Sequence, residues 1–170
     1  MQPGKFACLV GVTLAVASIA LSQGDEQAFI KEAVQGNLAE VQLGELAAQR
    51  AQDPQVRKFG ETVRADHQAA LKRTMNLAKS LKVEAPSEPS TEARGFYEGL
   101  AQLSGSQFDA AFVSHMVTAH EAEIAKYSRN ANSDDDAVAA MIAETLPKLK
   151  AHLAAAQALQ RGAATHPALH

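Results

Sequence analysis

The sequence has no tryptophan, two tyrosines, six phenylalanines and a single cysteine, Cys8, among its 170 residues. Cys8 lies within an N-terminal apolar run, so the chain after that run contains no disulfide, thiolate metal ligand or cysteine nucleophile. Glycine-rich phosphate loops, the GxSxG element of hydrolases and the HExxH zinc motif are also missing. The sequence therefore gives no support for the enzyme classes that are recognised by short motifs, and it identifies no catalytic residue.

An excess of basic residues is missing as well. Sixteen lysines and arginines stand against nineteen aspartates and glutamates, which gives a net charge of −3 and a pI near 6.1. A protein that binds nucleic acid through its phosphates generally presents a strongly basic surface. Nucleic acid is therefore excluded as a partner, and the charged residues on the outer helix faces indicate a solvated surface.

Residues 1–22 have the pattern of a secretory signal peptide. One positive residue, Lys5, precedes an apolar run of sixteen residues at 6–21 that is rich in small aliphatic side chains. Cleavage after Ser22 is slightly favoured over cleavage after Ala20, and an uncleaved anchor is the minority interpretation. The run is shorter than the roughly 20 residues that span a bilayer. We therefore expect a periplasmic or secreted protein that has no transmembrane segment after cleavage. Peripheral association with the membrane is compatible with this expectation.

The composition and the periodicity of the mature chain both predict helices. Alanine accounts for 35 of the 170 residues of the full sequence, and β-branched and aromatic residues are sparse. Apolar residues recur every three or four positions in four long segments. The segments are 25–51, 54–81, 106–131 and 134–161. Asp53 followed by Pro54 marks the start of the second helix. Ser106 and Asp109 have the spacing of a capping box for the third, and Ser133 is the predicted N-cap of the fourth.

The connections between these segments predict the topology. The first two helices, and the last two, are joined by very short turns, so each pair forms an antiparallel hairpin. Residues 82–105 contain a short amphipathic piece at 91–103 and are long enough to run along a bundle of about 40 Å. The predicted fold is all-α, a ferritin-like four-helix bundle in which one long crossover containing a short helix joins the hairpins. The predicted signal peptide comprises residues 1–22, the bundle domain comprises residues 23–162, and a flexible tail comprises residues 163–170.

Each long helix places one ligand-capable residue on its apolar face. These residues are Glu40, His67, His120 and His152. His67 and His120 lie at nearly equal distances from the starts of their helices, so they should lie at one level. Glu40 and Glu144 are expected to lie within about one helical turn of the level of His67 and His120. His152 lies roughly 12 Å higher when heights are counted along the helix axes, so this count does not place it at the level of the other residues.

Two interpretations of these side chains remain open. Imidazole and carboxylate ligands suit iron, manganese, zinc or copper, and metal sites in helical bundles are built in the core. The five residues are therefore candidate ligands of a transition metal ion, and Met116 would add a thioether for copper. The other interpretation is a hydrogen-bonded polar core that fixes the register of the helices. Asp66, next to His67, is expected to face solvent.

Four segments of the sequence resemble a known family, in order and in spacing: FIKEAVQGNLAEVQLGELAAQ, VRKFGETVRADHQAAL, FDAAFVSHMVTAHEAEI and LPKLKAHLAAAQAL. The family is a bacterial group of exported ferritin-like proteins, a domain of unknown function whose members are often labelled predicted outer membrane or periplasmic proteins. The resemblance runs from Phe29 to about Leu159, and it implies a ferritin-like fold and an envelope location. The family's motif positions are occupied here by Glu40, His67, His120 and His152.

One departure from the wider ferritin-like pattern argues against a ferroxidase or a di-iron oxygenase. Such a site needs a glutamate three residues before a histidine on two helices. Arg64, Val117 and Leu149 occupy those positions here. The sequence therefore predicts an exported cell-envelope bundle that binds or sequesters a metal ion in its core. The alternative is a non-enzymatic structural, interaction or stress-related module, with a second copy of the chain or an envelope protein as partner.

Overall fold

The computed structural model describes residues 23–165, and over this range all regular structure is helical. The five helices are α1 (Gln23–Arg50), α2 (Pro54–Ser80), α3 (Thr91–Ala101), α4 (Gly105–Arg129) and α5 (Asp136–Thr165). The predicted signal peptide, 1–22, and the last residues of the predicted tail, 166–170, lie outside the described residues. None of the five helices is both long and apolar enough to cross a membrane.

Two clusters of buried apolar side chains hold the four long helices together. The lower cluster includes Phe29, Ile30, Ala78, Tyr127, Val138 and Ile142. The upper cluster includes Leu43, Ala47, Val56, Phe112, Met116 and Ala156. Helices α1 and α5 run from the lower cluster to the upper one, whereas α2 and α4 run the other way. Because α1 packs on α2 and α4, and α5 packs on the same two helices, neighbouring long helices are antiparallel.

The short helix α3 lies in the connection between α2 and α4, as the sequence predicts. The Ser90 hydroxyl accepts a hydrogen bond from the amide of Ala93 and caps its N-terminus. Leu100 is buried, and the helix contacts both α1 and α4. The connection therefore returns the chain from the lower end of α2 to the upper end, where α4 begins.

The start of α2 confirms one predicted cap and corrects another. The Asp53 carboxylate accepts a hydrogen bond from the amide of Gln55 at 2.7 Å, and Pro54 follows at the first helical position. The predicted capping box of Ser106 and Asp109 is wrong. The Asp109 carboxylate instead accepts from the amides of Gln52 and Asp53, at 3.0 and 2.7 Å. These two turn amides have no helical partner, so a carboxylate from α4 satisfies them. Helix α4 itself begins earlier, at a glycine with φ of +60°.

The two ends of α5 also differ from the prediction. The N-cap is Asp135, whose carboxylate accepts from the amides of Ala137 and Val138 at 2.9 and 3.0 Å. The predicted cap, Ser133, accepts from the amide of Asp135, which precedes the helix, and donates its hydroxyl to Glu26 on α1. A carboxylate satisfies two amides at the positive end of the helix dipole, where a neutral hydroxyl would interact more weakly. At the other end α5 continues past Gly162 to Thr165, through alanines of high helix propensity.

Backbone contact between α1 and α2 fixes their register. A Cβ atom on Gly44 would lie 2.7 Å from the carbonyl oxygen of Gly60, and one on Gly60 would lie 2.7 Å from the Cβ of Ala47. Counting seven residues, about two turns, away from this crossing reaches Asn37 on α1 and His67 on α2. The close approach of the two backbones therefore brings these two side chains into contact in the core.

Replacing Gly60 with alanine should destabilise the protein, because the added methyl group has no space between α1 and α2. The expected loss in the free energy of unfolding is about 1–3 kcal/mol, measured by urea denaturation. The control is Gly95→Ala on α3, where a Cβ atom would meet nothing within 4 Å. Alanine is the better helix former, so this control should gain up to about 1 kcal/mol. Equal stabilities of the two variants would contradict a register set by the glycine crossing.

Candidate metal centre

A layer of buried polar side chains separates the upper and lower clusters. Its buried members are Asn37, Glu40, His67, His120 and His152. Burying a polar group in a helical core costs free energy unless it finds a partner. The hydrogen bonds of this layer therefore decide which chemistry it supports.

Three imidazole rings converge in the middle of the layer. One ring nitrogen each of His67, His120 and His152 lies within 4.8 Å of the other two. His120 Nε2 is 3.3 Å from His152 Nδ1. The centroid of the His67 ring is 5.7 Å from that of His120 and 5.4 Å from that of His152. Each of the three residues is at most 4% exposed.

The hydrogen bonds of Asn37 fix the proton on His67. The Asn37 amide nitrogen donates to the carbonyl of Ala33 at 2.8 Å, so the amide oxygen faces His67 Nδ1 at 2.9 Å. An amide oxygen only accepts, and Nδ1 must therefore carry the ring proton. In the neutral ring Nε2 then holds a lone pair. That atom is buried and has no hydrogen-bond partner among the described residues.

The protons of the other two rings also point away from the centre. The Met116 carbonyl lies 2.9 Å from His120 Nδ1, and the Asp66 carboxylate lies 3.0 Å from His152 Nε2. Both acceptors require an N–H, so the neutral rings keep lone pairs on His120 Nε2 and His152 Nδ1. These two lone pairs face each other. Such an arrangement needs a proton or a metal ion between the nitrogens.

Burial keeps the His67 and His120 rings in the form that binds metals. Desolvation lowers the pKa of His67 well below its ordinary value, and it lowers the pKa of His120 to about 4. The nearby histidines add to both effects, because a second positive charge in the layer is unfavourable. His67 and His120 are therefore neutral at pH 7, and neutral imidazole is the metal ligand.

Asp66 lies at the edge of this layer and is half-buried, so the prediction that it faces solvent is only partly correct. One carboxylate oxygen accepts from His152, and the other accepts from the ammonium group of Lys148 on α5. Burial by itself would raise the pKa of Asp66, but these two hydrogen bonds lower it below its ordinary value. Asp66 lies on the flank of α2 that packs against α5, so it bridges the two helices.

The structure brings together His67, His120 and His152 but not the two candidate glutamates. Glu40 is buried, yet the charge that acts on it is that of Glu123 on α4. Glu144 is exposed, and its carboxylate lies 3.4 Å from Arg73 Nε.

His152, expected about 12 Å higher, instead joins the other two histidines. A helical side chain leans toward the N-terminus of its own helix. Because α4 and α5 are antiparallel, the side chains of His120 and His152 lean toward each other, which narrows the gap. The start of α5 at Asp136, two residues later than predicted, narrows it by about 3 Å more.

Two carboxyl groups form the side of the layer between α1 and α4. Burial raises the pKa of Glu40 well above its ordinary value, and repulsion by Glu123 adds to the rise. Burial also raises the pKa of Glu123 to about 7, although Lys126 opposes it. One oxygen of each carboxyl group is buried without a hydrogen-bond partner in the described part of the chain. A Cβ atom on Gly36 would lie 2.8 Å from Glu123 Oε1, so this glycine leaves room for the second carboxyl group.

Sequence reasoning did not identify Asn37, Glu123 or Lys148. Two of them carried a usable signal. Asn37 lies three residues before Glu40, and Glu123 lies three residues after His120, so each shares a helix face with a candidate ligand. The partnership of Lys148 with Asp66 depends on how closely α2 and α5 pack, which no local pattern encodes.

The fold and the site define an all-helical protein with three histidines clustered in its core. Residues 12–159 match the family described as "Domain of unknown function (DUF4142)", and the chain belongs to that family. A solved structure described as "Crystal structure of DUF305 fragment from Deinococcus radiodurans" is similar, with a TM-score of 0.71 and 16% sequence identity. The likeness covers 80% of this chain and 95% of that one, and at this identity it shows the fold alone. Comparison with curated proteins finds no match.

The buried carboxyl group of Glu123 should make stability depend on pH. Glu123 holds its proton more tightly in the folded chain, so its contribution to the free energy of unfolding falls as the pH rises from 4.5 to about 7. Glu123→Gln cannot ionise and escapes this fall. Its stability relative to the parent protein should therefore grow over that range, by on the order of 3 kcal/mol, and stay constant above it.

Urea denaturation at a series of pH values measures this difference. The matched control is Glu121→Gln, an exposed position two residues away on α4. The free energy of unfolding of this control should stay within about 0.5 kcal/mol of the parent value at every pH. A difference between Glu123→Gln and the parent that does not change with pH would show that Glu123 is not a buried acid.

Proposed function

We propose that this protein is an exported cell-envelope protein that binds one transition metal ion in the core of a ferritin-like four-helix bundle. The proposed ligands are Nε2 of His67, Nε2 of His120 and Nδ1 of His152. The observation that carries the proposal is the orientation of the three rings. Each ring has its N–H directed to an acceptor outside the cluster, and one nitrogen of each ring lies within 4.8 Å of a nitrogen of the other two.

The spacing of the nitrogens suits a small metal ion. Two imidazole nitrogens bound about 2.05 Å from a tetrahedral metal lie about 3.3 Å apart. His120 Nε2 and His152 Nδ1 are already 3.3 Å apart, and a nitrogen of each of the three rings lies within 4.8 Å of the others. Imidazole suits zinc, copper and iron better than it suits magnesium or calcium. A set of three histidines also leaves one coordination position open.

The outer partners of the rings support the same proposal. Histidines that bind metals usually donate their other N–H to a carboxylate, a carbonyl or a similar acceptor, which fixes the ring. Here these acceptors are Asn37, the Met116 carbonyl and Asp66. The proposed ligand set is limited to the histidines, because Glu40 faces Glu123 and Glu144 pairs with Arg73.

The ferritin-like fold and the exported location rest on different observations. Four long antiparallel helices with one long connection between α2 and α4 support the bundle topology. The apolar run at 6–21 after Lys5 supports export. Together they favour a protein that takes up or sequesters a metal ion outside the cytoplasm.

Removal of one histidine of the cluster should abolish tight metal binding. Elemental analysis of protein purified from its host envelope without chelator should find about one metal ion per chain. Chelator competition should show that His67→Gln and His120→Gln each lower the affinity for the metal ion at least about 100-fold. This is more than the loss of a hydrogen-bond partner of a ligand would cause. The helix content of both variants should remain that of the parent.

The matched control is His115→Gln, which removes an imidazole from the same helix as His120. His115 stacks on Phe96 with ring centroids 3.7 Å apart and points to a different face. Its metal affinity should equal that of the parent. Metal-free parent protein, combined with a loss of stability in His120→Gln, would favour the alternative, a polar core that fixes helix register.

Asp66→Asn should weaken the site without removing it. Asparagine still accepts a hydrogen bond from His152 but lacks the charge that makes the imidazole a better ligand. The expected loss in metal affinity is about 10–100-fold at unchanged stoichiometry, measured by chelator competition. Glu61→Gln, an exposed acid on the same helix, is the control and should match the parent. An unchanged affinity in Asp66→Asn would argue that Asp66 does not support a metal ligand.

A further inference from the structure

The charges of the chain are distributed unevenly among its helices. Residues 54–82, which comprise α2 and the two residues after it, hold seven of the 16 lysines and arginines but two of the 19 aspartates and glutamates. This segment therefore has a net charge of +5, whereas the nine cations and 17 acids of the remaining chain give −8. One of the two acids, Asp66, is bonded to Lys148 and His152 on α5. The outer side of α2 is thus basic on a protein that is acidic as a whole.

Three lysines at the lower end of α2 carry charge that the protein itself does not neutralise. Lys72, Lys79 and Lys82 are exposed, and none of them has an ion-pair partner within residues 23–165. Lys72 and Lys79 are separated by about two helical turns, so they lie on one side of α2. Met75 lies between them in the sequence and is 46% exposed, which is unusual for a large apolar side chain. We call the surface formed by these four residues the basic face.

Helix α1 extends the basic face. Glu45 of α1 forms an ion pair with Arg64 of α2 at 2.7 Å, which identifies the side of α1 that adjoins the outer side of α2. Lys31 lies about four helical turns before Glu45, so it lies on the same side of α1, where it is exposed. The unpaired positive charge therefore covers neighbouring parts of two helices in the lower half of the bundle.

The shape of the basic face favours an extended partner over a small ligand. Lys72 and Lys82 are about 15 Å apart along the helix axis, and they lie side by side on the outside of the bundle. A site for a small anion needs polar groups that converge in a pocket. A specific protein interface needs an apolar centre, and Met75 alone is too small to provide one. An anionic lipid surface instead presents many negative charges in one plane, and lysine side chains are long enough to reach them.

We propose that the basic face docks this protein on an anionic lipid bilayer. The lysines lie among the negatively charged headgroups, and the Met75 side chain enters the boundary between headgroups and acyl chains. Helix α2 then lies against the bilayer, with α4 on the opposite side of the bundle. The attachment is reversible, because each lysine near an anionic surface raises the affinity only about fivefold and salt screens the attraction. It does not depend on the metal site proposed above.

The first test is co-sedimentation of the protein, purified from its host envelope, with vesicles of phosphatidylglycerol and phosphatidylcholine in equal parts. The parent protein should bind these vesicles at low salt and be released at high salt. The triple variant Lys72→Gln, Lys79→Gln, Lys82→Gln should bind about 100-fold more weakly. Vesicles of phosphatidylcholine alone should bind neither protein.

The matched control is the triple variant Arg129→Gln, Lys150→Gln, Arg161→Gln. It removes three exposed cations from α4 and α5, so its net charge equals that of the lysine variant. Its affinity for the vesicles should stay within a factor of about three of the parent value, because these side chains lie away from the basic face. Circular dichroism should show the helix content of the parent in both variants. Equal losses of affinity in the two variants would overturn the proposal, since binding would then follow total charge.

A second test reports which side of the bundle meets the lipid. The sequence contains no tryptophan, so Met75→Trp supplies a single fluorescent reporter on the basic face. Its emission should shift to shorter wavelength when the phosphatidylglycerol vesicles are added, because the indole ring leaves water. Ala125→Trp places the same reporter at an exposed position of α4 and should show no shift. A shift in Ala125→Trp without one in Met75→Trp would overturn the proposed orientation.

Three further results would contradict docking through the basic face. A parent protein that does not sediment with the phosphatidylglycerol vesicles at low salt has no affinity for an anionic bilayer. Equal binding to phosphatidylcholine alone would show attachment through an apolar segment rather than through lysines. Self-association of the parent at low salt without binding to vesicles would identify the acidic surface of a second copy as the partner.

Discussion

The hydrogen bonds that hold three imidazole N–H groups outward are the interaction on which the centre of this protein depends. In a helical core each buried ring must give its proton to an acceptor, and the acceptors here are a side-chain amide, a backbone carbonyl and a carboxylate. Once the three protons are committed outward, the three lone pairs are left in the middle. The same bonds that satisfy the rings therefore also prepare them to act as ligands.

The remainder of the layer distributes charge around this centre in an orderly way. Where α1 meets α4, the layer holds the acids Glu40 and Glu123, both with raised pKa, and Lys126 acts on Glu123. Where α2 meets α5, it includes the cations Arg73 and Lys148, and Asp66 lies between Lys148 and His152. The two seams are therefore chemically different, although the helices that form them are of similar length.

Much of the fold was predictable because it depends on local patterns. Apolar periodicity located the long helices within a few residues, and the spacing of the segments predicted a short helix in the long connection. The predictions failed where an end or a contact depends on a distant group. Asp109 satisfies amides more than fifty residues away, which a local capping pattern does not encode. The prediction that His67 and His120 lie at one level is correct. The predicted height of His152 is wrong, because counting residues along the helix axis ignores the direction in which a side chain leans.

The origin of the three histidines has a consequence for how the chain assembles. His67 belongs to the hairpin of α1 and α2, whereas His120 and His152 belong to the hairpin of α4 and α5. Each hairpin is built from contacts that are close in sequence, so we expect it to form before the two hairpins dock. The three rings come together only when the hairpins dock. We therefore expect the free-energy cost of desolvating the polar layer to fall on that docking step.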